Sequence, residues 1–139
     1  MIGRDSKPLV AVLSDLIFET KIRSTAKSLG VAASIIRSAG ELPGALDRVQ
    51  PGLVIVDLDS LGVSALEALN IAVSHSGRPH VVAFLSHVNV EFASRAKGAG
   101  ANAVLPRSQF SDDLSQMVVR HCLGEPDTPR SSEGPPRLV

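Results

Sequence analysis

The chain is expected to fold as an α/β domain, a doubly wound five-stranded parallel sheet with helices on both faces. Three observations predict this. Short apolar runs alternate strictly with longer segments of helical period, making five β–α units. The third and fourth runs, LVIVD (53–57) and HVVAFLS (80–86), are almost wholly apolar, as strands covered on both faces must be. The length, 139 residues, suits one domain, and a hydrophobic content of 44% supplies a core.

Each element has its own signal. PLVAVL (8–13) is the first strand. Residues 15–29 then repeat apolar side chains at helical steps, with Phe18, Ile22, Ala26 and Leu29 on one face and Gly30 as a stop. VAASIIR (31–37) is the second strand, and 40–49 is a weak helix interrupted early by Pro43 and Gly44. LVIVD (53–57) is the third strand, followed by a helix over 63–75 that Gly77 and Pro79 terminate. HVVAFLS (80–86) is the fourth strand, and 90–100 is a short helix with Asn89 as its cap. NAVL (102–105) is the fifth strand, and 108–121 is a helix with Phe110, Leu114, Met117 and His121 on one face.

Residues 1–122 are thus expected to form the domain and 123–139 a disordered tail. The stretch 124–139 holds four of the nine prolines and few apolar residues, too few to offset its ordering entropy. Lys+Arg and Asp+Glu are both 14, so no basic excess points to nucleic acid or to an anionic membrane. Cys122 is the single cysteine, which excludes an internal disulfide and fits a reducing, cytoplasmic setting. The first apolar run is too short to span a membrane.

A sheet of this kind commonly has strand order 2-1-3-4-5, with its crevice at the carboxyl ends of the strands, where the first and third are neighbours. The sequence places Ser14 and Asp15 after strand one, Asp57 and Asp59 after strand three, Ser86 and His87 after strand four, and Pro106 and Arg107 after strand five. Two carboxylates facing each other across one strand spacing repel unless a proton or a cation lies between them. Mg²⁺ is the ion that takes one or two carboxylates and keeps its waters for a phosphate. An aspartate so placed can attack phosphorus, with Ser86 supplying a hydroxyl and Arg107 a cation. Polar residues also stand at strand ends simply because the chain emerges there into water.

These residues, with AKGAGANAVLPRSQF (96–110), carry a resemblance to the receiver domain of bacterial two-component response regulators, whose fold is flavodoxin-like. The resemblance covers residues 8 to 121. It implies that Asp57 is the phosphoacceptor, that Asp15, Asp57 and the backbone carbonyl of Asp59 hold Mg²⁺, and that Ser86 and Arg107 register the phosphate. It also implies a partner surface on the last two helices, bearing Phe92, Arg95, Lys97, Phe110, Gln116 and Arg120. The departures are specific. Ser14 stands where the family has the first of two acids, and Arg107 replaces a lysine whose compact ammonium it does not mimic. Ser108 takes the place of a proline, and Val104 that of the switching aromatic. Such a pattern resembles an atypical or pseudo-receiver.

Other chemistries fit less well. The stretch DLD (57–59) is similar to the first motif of haloacid dehalogenase phosphatases, with Asp57 as nucleophile and Asp59 as acid/base. In that family the nucleophile strand comes first and a threonine stands where this chain has Leu61, and Asp112 and Asp113 lie in a predicted helix. Cobalamin domains carry histidine at the Asp59 position, and a flavin site needs a hydroxyl-rich phosphate loop that SDLIFETK is not. His75, His80, His87 and His121 fall in different elements without metal-ligand spacing, and Cys122 has no matched histidine–acid pair.

The expectation is therefore a stand-alone receiver-like signalling module, not an enzyme, acting by protein–protein interaction. Phosphorylation of Asp57 either controls it, or it is a phosphorylation-independent adaptor. No helix-turn-helix is expected after residue 121, so output passes through a partner. That partner is a sensor histidine kinase, another signalling protein or a second copy of the chain, and not nucleic acid or a membrane.

Overall fold

Five short apolar runs form the strands β1 (Leu9–Val12), β2 (Ala33–Ile36), β3 (Leu53–Asp57), β4 (His80–Leu85) and β5 (Ala103–Pro106). All four strand pairings are parallel, in the order β2-β1-β3-β4-β5. The structure, a computed structural model, describes residues 6–62, 64–86 and 89–124. The expected tail from residue 125 onward, and His87, lie outside the described residues.

The pleat sorts the central strands into two cores. Val10, Val12, Val54, Val56, Val81, Ala83 and Leu85 face one side, against α2 (Leu42–Val49), α4 (Ser64–Ser74) and α5 (Val90–Gly98). Leu9, Ala11, Leu53, Ile55, Val82 and Phe84 face the other, against α1 (Leu16–Ser28) and α6 (Arg107–Cys122). Strict alternation along strands that are apolar throughout is what a sheet covered on both faces requires.

The helices depart from expectation in three places. The weak helix begins as a 3₁₀ turn (Ala39–Glu41) and continues as α2, with Pro43 in its first turn, where a missing N–H costs nothing. A one-turn helix, α3 (Leu58–Leu61), follows β3 directly and was not foreseen. The buried face of α6 is Phe110, Leu114, Val118 and Cys122, at steps of four, rather than the face through Met117 and His121. That places Phe110, expected on the partner surface, wholly inside the core; it is a packing residue, stacked on Phe84 with centroids 4.3 Å apart.

At the amino ends of the strands, α6 closes tightly on the sheet. The N–H of Lys7 donates to the carbonyl of Cys122 at 2.7 Å. A Cβ on Gly52 would collide with the carbonyl oxygen of His121, so only glycine fits that approach. His80, at the start of β4, stacks face to face on His121 with centroids 3.7 Å apart. Burial holds the His121 pKa down at about 4 and lowers that of His80. Both are therefore neutral at neutral pH, and of the two basic residues in the last turn of α6, Arg120 and His121, only Arg120 complements the helix dipole. Cys122 is buried, and burial pushes its thiol up to about 12, which makes it inert.

Candidate functional site

The register carries the expected polar residues to one rim. Val12 pairs with Val56, Asp57 with Phe84, and Leu85 with Pro106. Asp15, Asp57, Ser86 and Arg107 thus follow the carboxyl ends of four adjacent strands.

Asp57 is fully buried, the sole buried charged residue among the described residues. Its extended backbone makes it the N-cap of α3. One carboxylate oxygen accepts from the N–H groups of Asp59 (3.1 Å) and Ser60 (3.3 Å), and the other accepts from the Ser60 hydroxyl at 2.5 Å. Burial raises its pKa, and the Ser60 bonds oppose the rise. The Ser60 hydroxyl was missed from sequence.

Asp15 caps α1 in the same manner. One oxygen accepts from the N–H groups of Ile17 (2.9 Å) and Phe18 (3.1 Å), and the other meets Arg107 at 2.5 Å. Its pKa is lowered, first by the Phe18 N–H and then by Arg107. Asp59 presents its side chain rather than only its backbone. A single carboxylate oxygen accepts from the Ser86 N–H at 2.8 Å and lies 3.5 Å from Arg107. Arg107 spreads over the ring of Phe18, 4.7 Å from its centroid, with Phe84 beneath at 5.9 Å.

A second tie lies beside this one. Arg37 pairs with Glu19 at 2.8 Å and donates to the carbonyl of Leu13 at 3.2 Å. It joins the end of β1 to the body of α1. The Glu19 pKa is lowered, chiefly by Arg37 and then by Arg23.

Mg²⁺ needs carboxylate oxygens with open lone pairs and room for several waters. Asp15 is divided between a helix cap and a guanidinium, Asp57 is a buried cap, and Asp59 already holds Arg107 and Ser86. As arranged, this donor set does not fit a divalent ion. Nor does it assemble a phosphatase, because Asp112 and Asp113 lie along α6 rather than at a strand end.

Of the expected partner surface, Arg95 and Lys97 on α5 and Gln116 and Arg120 on α6 are exposed, and Phe92 is half-buried against the core. The two helices lie on opposite faces of the sheet, flanking its edge strand β5.

Five parallel strands in this order, with an aspartate closing the third, match a known architecture. The response regulator receiver domain protein (CheY-like) of Methanospirillum hungatei JF-1 superposes with a TM-score of 0.72 at 19% identity, over 93% of this chain and 99% of that one. The chain has the fold of response regulator receiver domains. A LuxR-family two-component response regulator from Aurantimonas sp. SI85-9A1 gives a TM-score of 0.68 at 21% identity, covering 94% of each chain. The Mn²⁺-bound form of response regulator Rcp1 gives 0.65 at 17% identity, over 88% of this chain and 99% of the other. No protein-family model and no curated protein matches the sequence. Among the described residues no helix is long and apolar enough to cross a membrane.

Proposed function

We propose that this receiver-fold chain is a cytoplasmic signalling module, not an enzyme, that works by protein–protein interaction without requiring phosphorylation of Asp57. The observation that carries the reading is the state of Asp57. It closes β3, where the resemblance puts the phosphoacceptor, yet it is wholly buried and both its oxygens are engaged by Asp59 and Ser60. A nucleophile must be reachable by phosphorus, and this carboxylate has no exposed surface and already accepts hydrogen bonds on both oxygens.

The partner is a signalling protein, a sensor histidine kinase included, or a second copy of the chain. Arg95 and Lys97 on α5, with Gln116 and Arg120 on α6, are exposed around the β5 edge and form a polar, cationic docking face. The phosphoacceptor reading, with Mg²⁺ at Asp15, Asp57 and the backbone carbonyl of Asp59 and with Ser86 and Arg107 sensing phosphate, draws support from the shared rim. It requires the Asp57 cap to open and Arg107 to release its acids.

One experiment addresses both parts. Wild-type protein is incubated with Mg²⁺ and acetyl phosphate, and its intact mass is measured. No phosphoryl adduct is expected. In parallel, complexes formed in cells are compared between wild type, Asp57→Asn and Arg95→Glu/Lys97→Glu. Asp57→Asn should retain the wild-type complexes and the double reversal should lose them. An adduct abolished by Asp57→Ala, together with complexes lost in Asp57→Asn, would establish the phosphoacceptor reading instead.

A further inference from the structure

We propose that Arg107 is the resident cation of this rim, built into the chain where a divalent ion would otherwise be needed to hold the acids together. The inference concerns the rim itself and stands whether or not the partner reading holds.

Asp15 comes from the start of α1, Asp57 from the end of β3, and Asp59 from α3. Acids gathered at one rim repel unless a proton or a cation lies among them. Arg107 supplies a cation from the opposite side of the crevice. One terminal nitrogen meets Asp15 at 2.5 Å and the other lies 3.5 Å from Asp59. Its charge also reaches Asp57, where it favours the ionised form. The guanidinium is held from below by the faces of Phe18 and Phe84. Phe18 is positioned in turn by stacking on Phe84, centroids 5.0 Å apart.

This arrangement needs arginine. Only a planar fork can address two carboxylates while lying flat on an aromatic ring, and lysine has neither the fork nor the face. The departure from lysine goes with Ser14, which stands in place of an acid and so removes one negative charge from the rim, and with the ring of Phe18, which the guanidinium covers. The connection continues through Asp59, whose oxygen accepts from the Ser86 N–H. A single side chain thus ties the ends of β1, β3, β4 and β5.

The test is thermal melting of full-length wild type and Arg107→Ala, each with millimolar Mg²⁺ and with NaCl at matched ionic strength. Wild type should melt at the same temperature in both salts. Arg107→Ala should melt lower by several degrees in NaCl and recover part of the loss in Mg²⁺. Should that variant fail to fold, Mn²⁺ line broadening of the Asp15 and Asp57 amides in wild type decides: unselective broadening supports the proposal. Stabilisation of wild type by Mg²⁺, broadening centred on those amides, or an Arg107→Ala protein that melts like wild type would each overturn it.

Discussion

Asp57 is a charged group that the fold keeps away from water, and its position sets two opposing energies. Burial disfavours the carboxylate, and three hydrogen bonds from Asp59 and Ser60 compensate. Asparagine keeps a capping oxygen without a charge to desolvate, whereas alanine keeps neither. Asp57→Asn is expected to melt at or above wild type, and Asp57→Ala to lose about 1–3 kcal/mol by denaturant unfolding. Equal losses in both variants would mean that the charge, not the cap, matters. The sequence showed that an acid closes an apolar strand, and that Asp15, Ser86 and Arg107 close three others. It did not show that Asp57 would cap a helix. A one-turn helix has no period to read, and its first residues, Leu58 and Asp59, look like loop. Nor did it show that Asp59 would use its side chain, because the Ser86 N–H that holds it is 27 residues distant.

At the scale of elements, the central strands β1, β3 and β4 were legible because burial on both faces leaves an unbroken apolar run. Helix faces were less so. Met117 and Val118 are both apolar, and Phe110 and Leu114 belong to either face; it is the burial of Val118 and Cys122 that marks the one observed. The same choice brings His121 over His80 and joins the end of α6 to the start of β4. Both imidazoles have folded-state pKa values below the ordinary 6.5, His121 at about 4. The unfolded chain therefore binds protons that the folded chain refuses as pH falls from 6.5 towards 4. The stabilisation from this contact is complete above pH 6.5 and is lost through that window. Arg120, which also disfavours both charges, deepens the effect. The melting temperature of wild type is expected to fall across this range more steeply than that of His121→Asn, measured by circular dichroism. Identical slopes would show that the stack does not govern acid stability.

For the whole molecule, the five-stranded receiver fold follows from the alternation of elements and from the acids it collects at one rim. What the fold does with that rim depends on side chains that the alternation does not specify: a guanidinium between Asp15 and Asp59, a serine hydroxyl on Asp57, and three stacked phenylalanines beneath. Together they describe a rim bridged by one cation and hydrogen-bonded from within. We propose that such a rim needs no metal ion and holds its acceptor-position carboxylate out of reach of phosphorus. Beryllofluoride, a phosphoryl mimic, tests this most directly when added with Mg²⁺ to isotopically labelled protein. The account predicts that the amide resonances of Asp57, Ser86 and Arg107 stay where they are. Saturable shifts at those three positions, absent in Asp57→Asn, would contradict it.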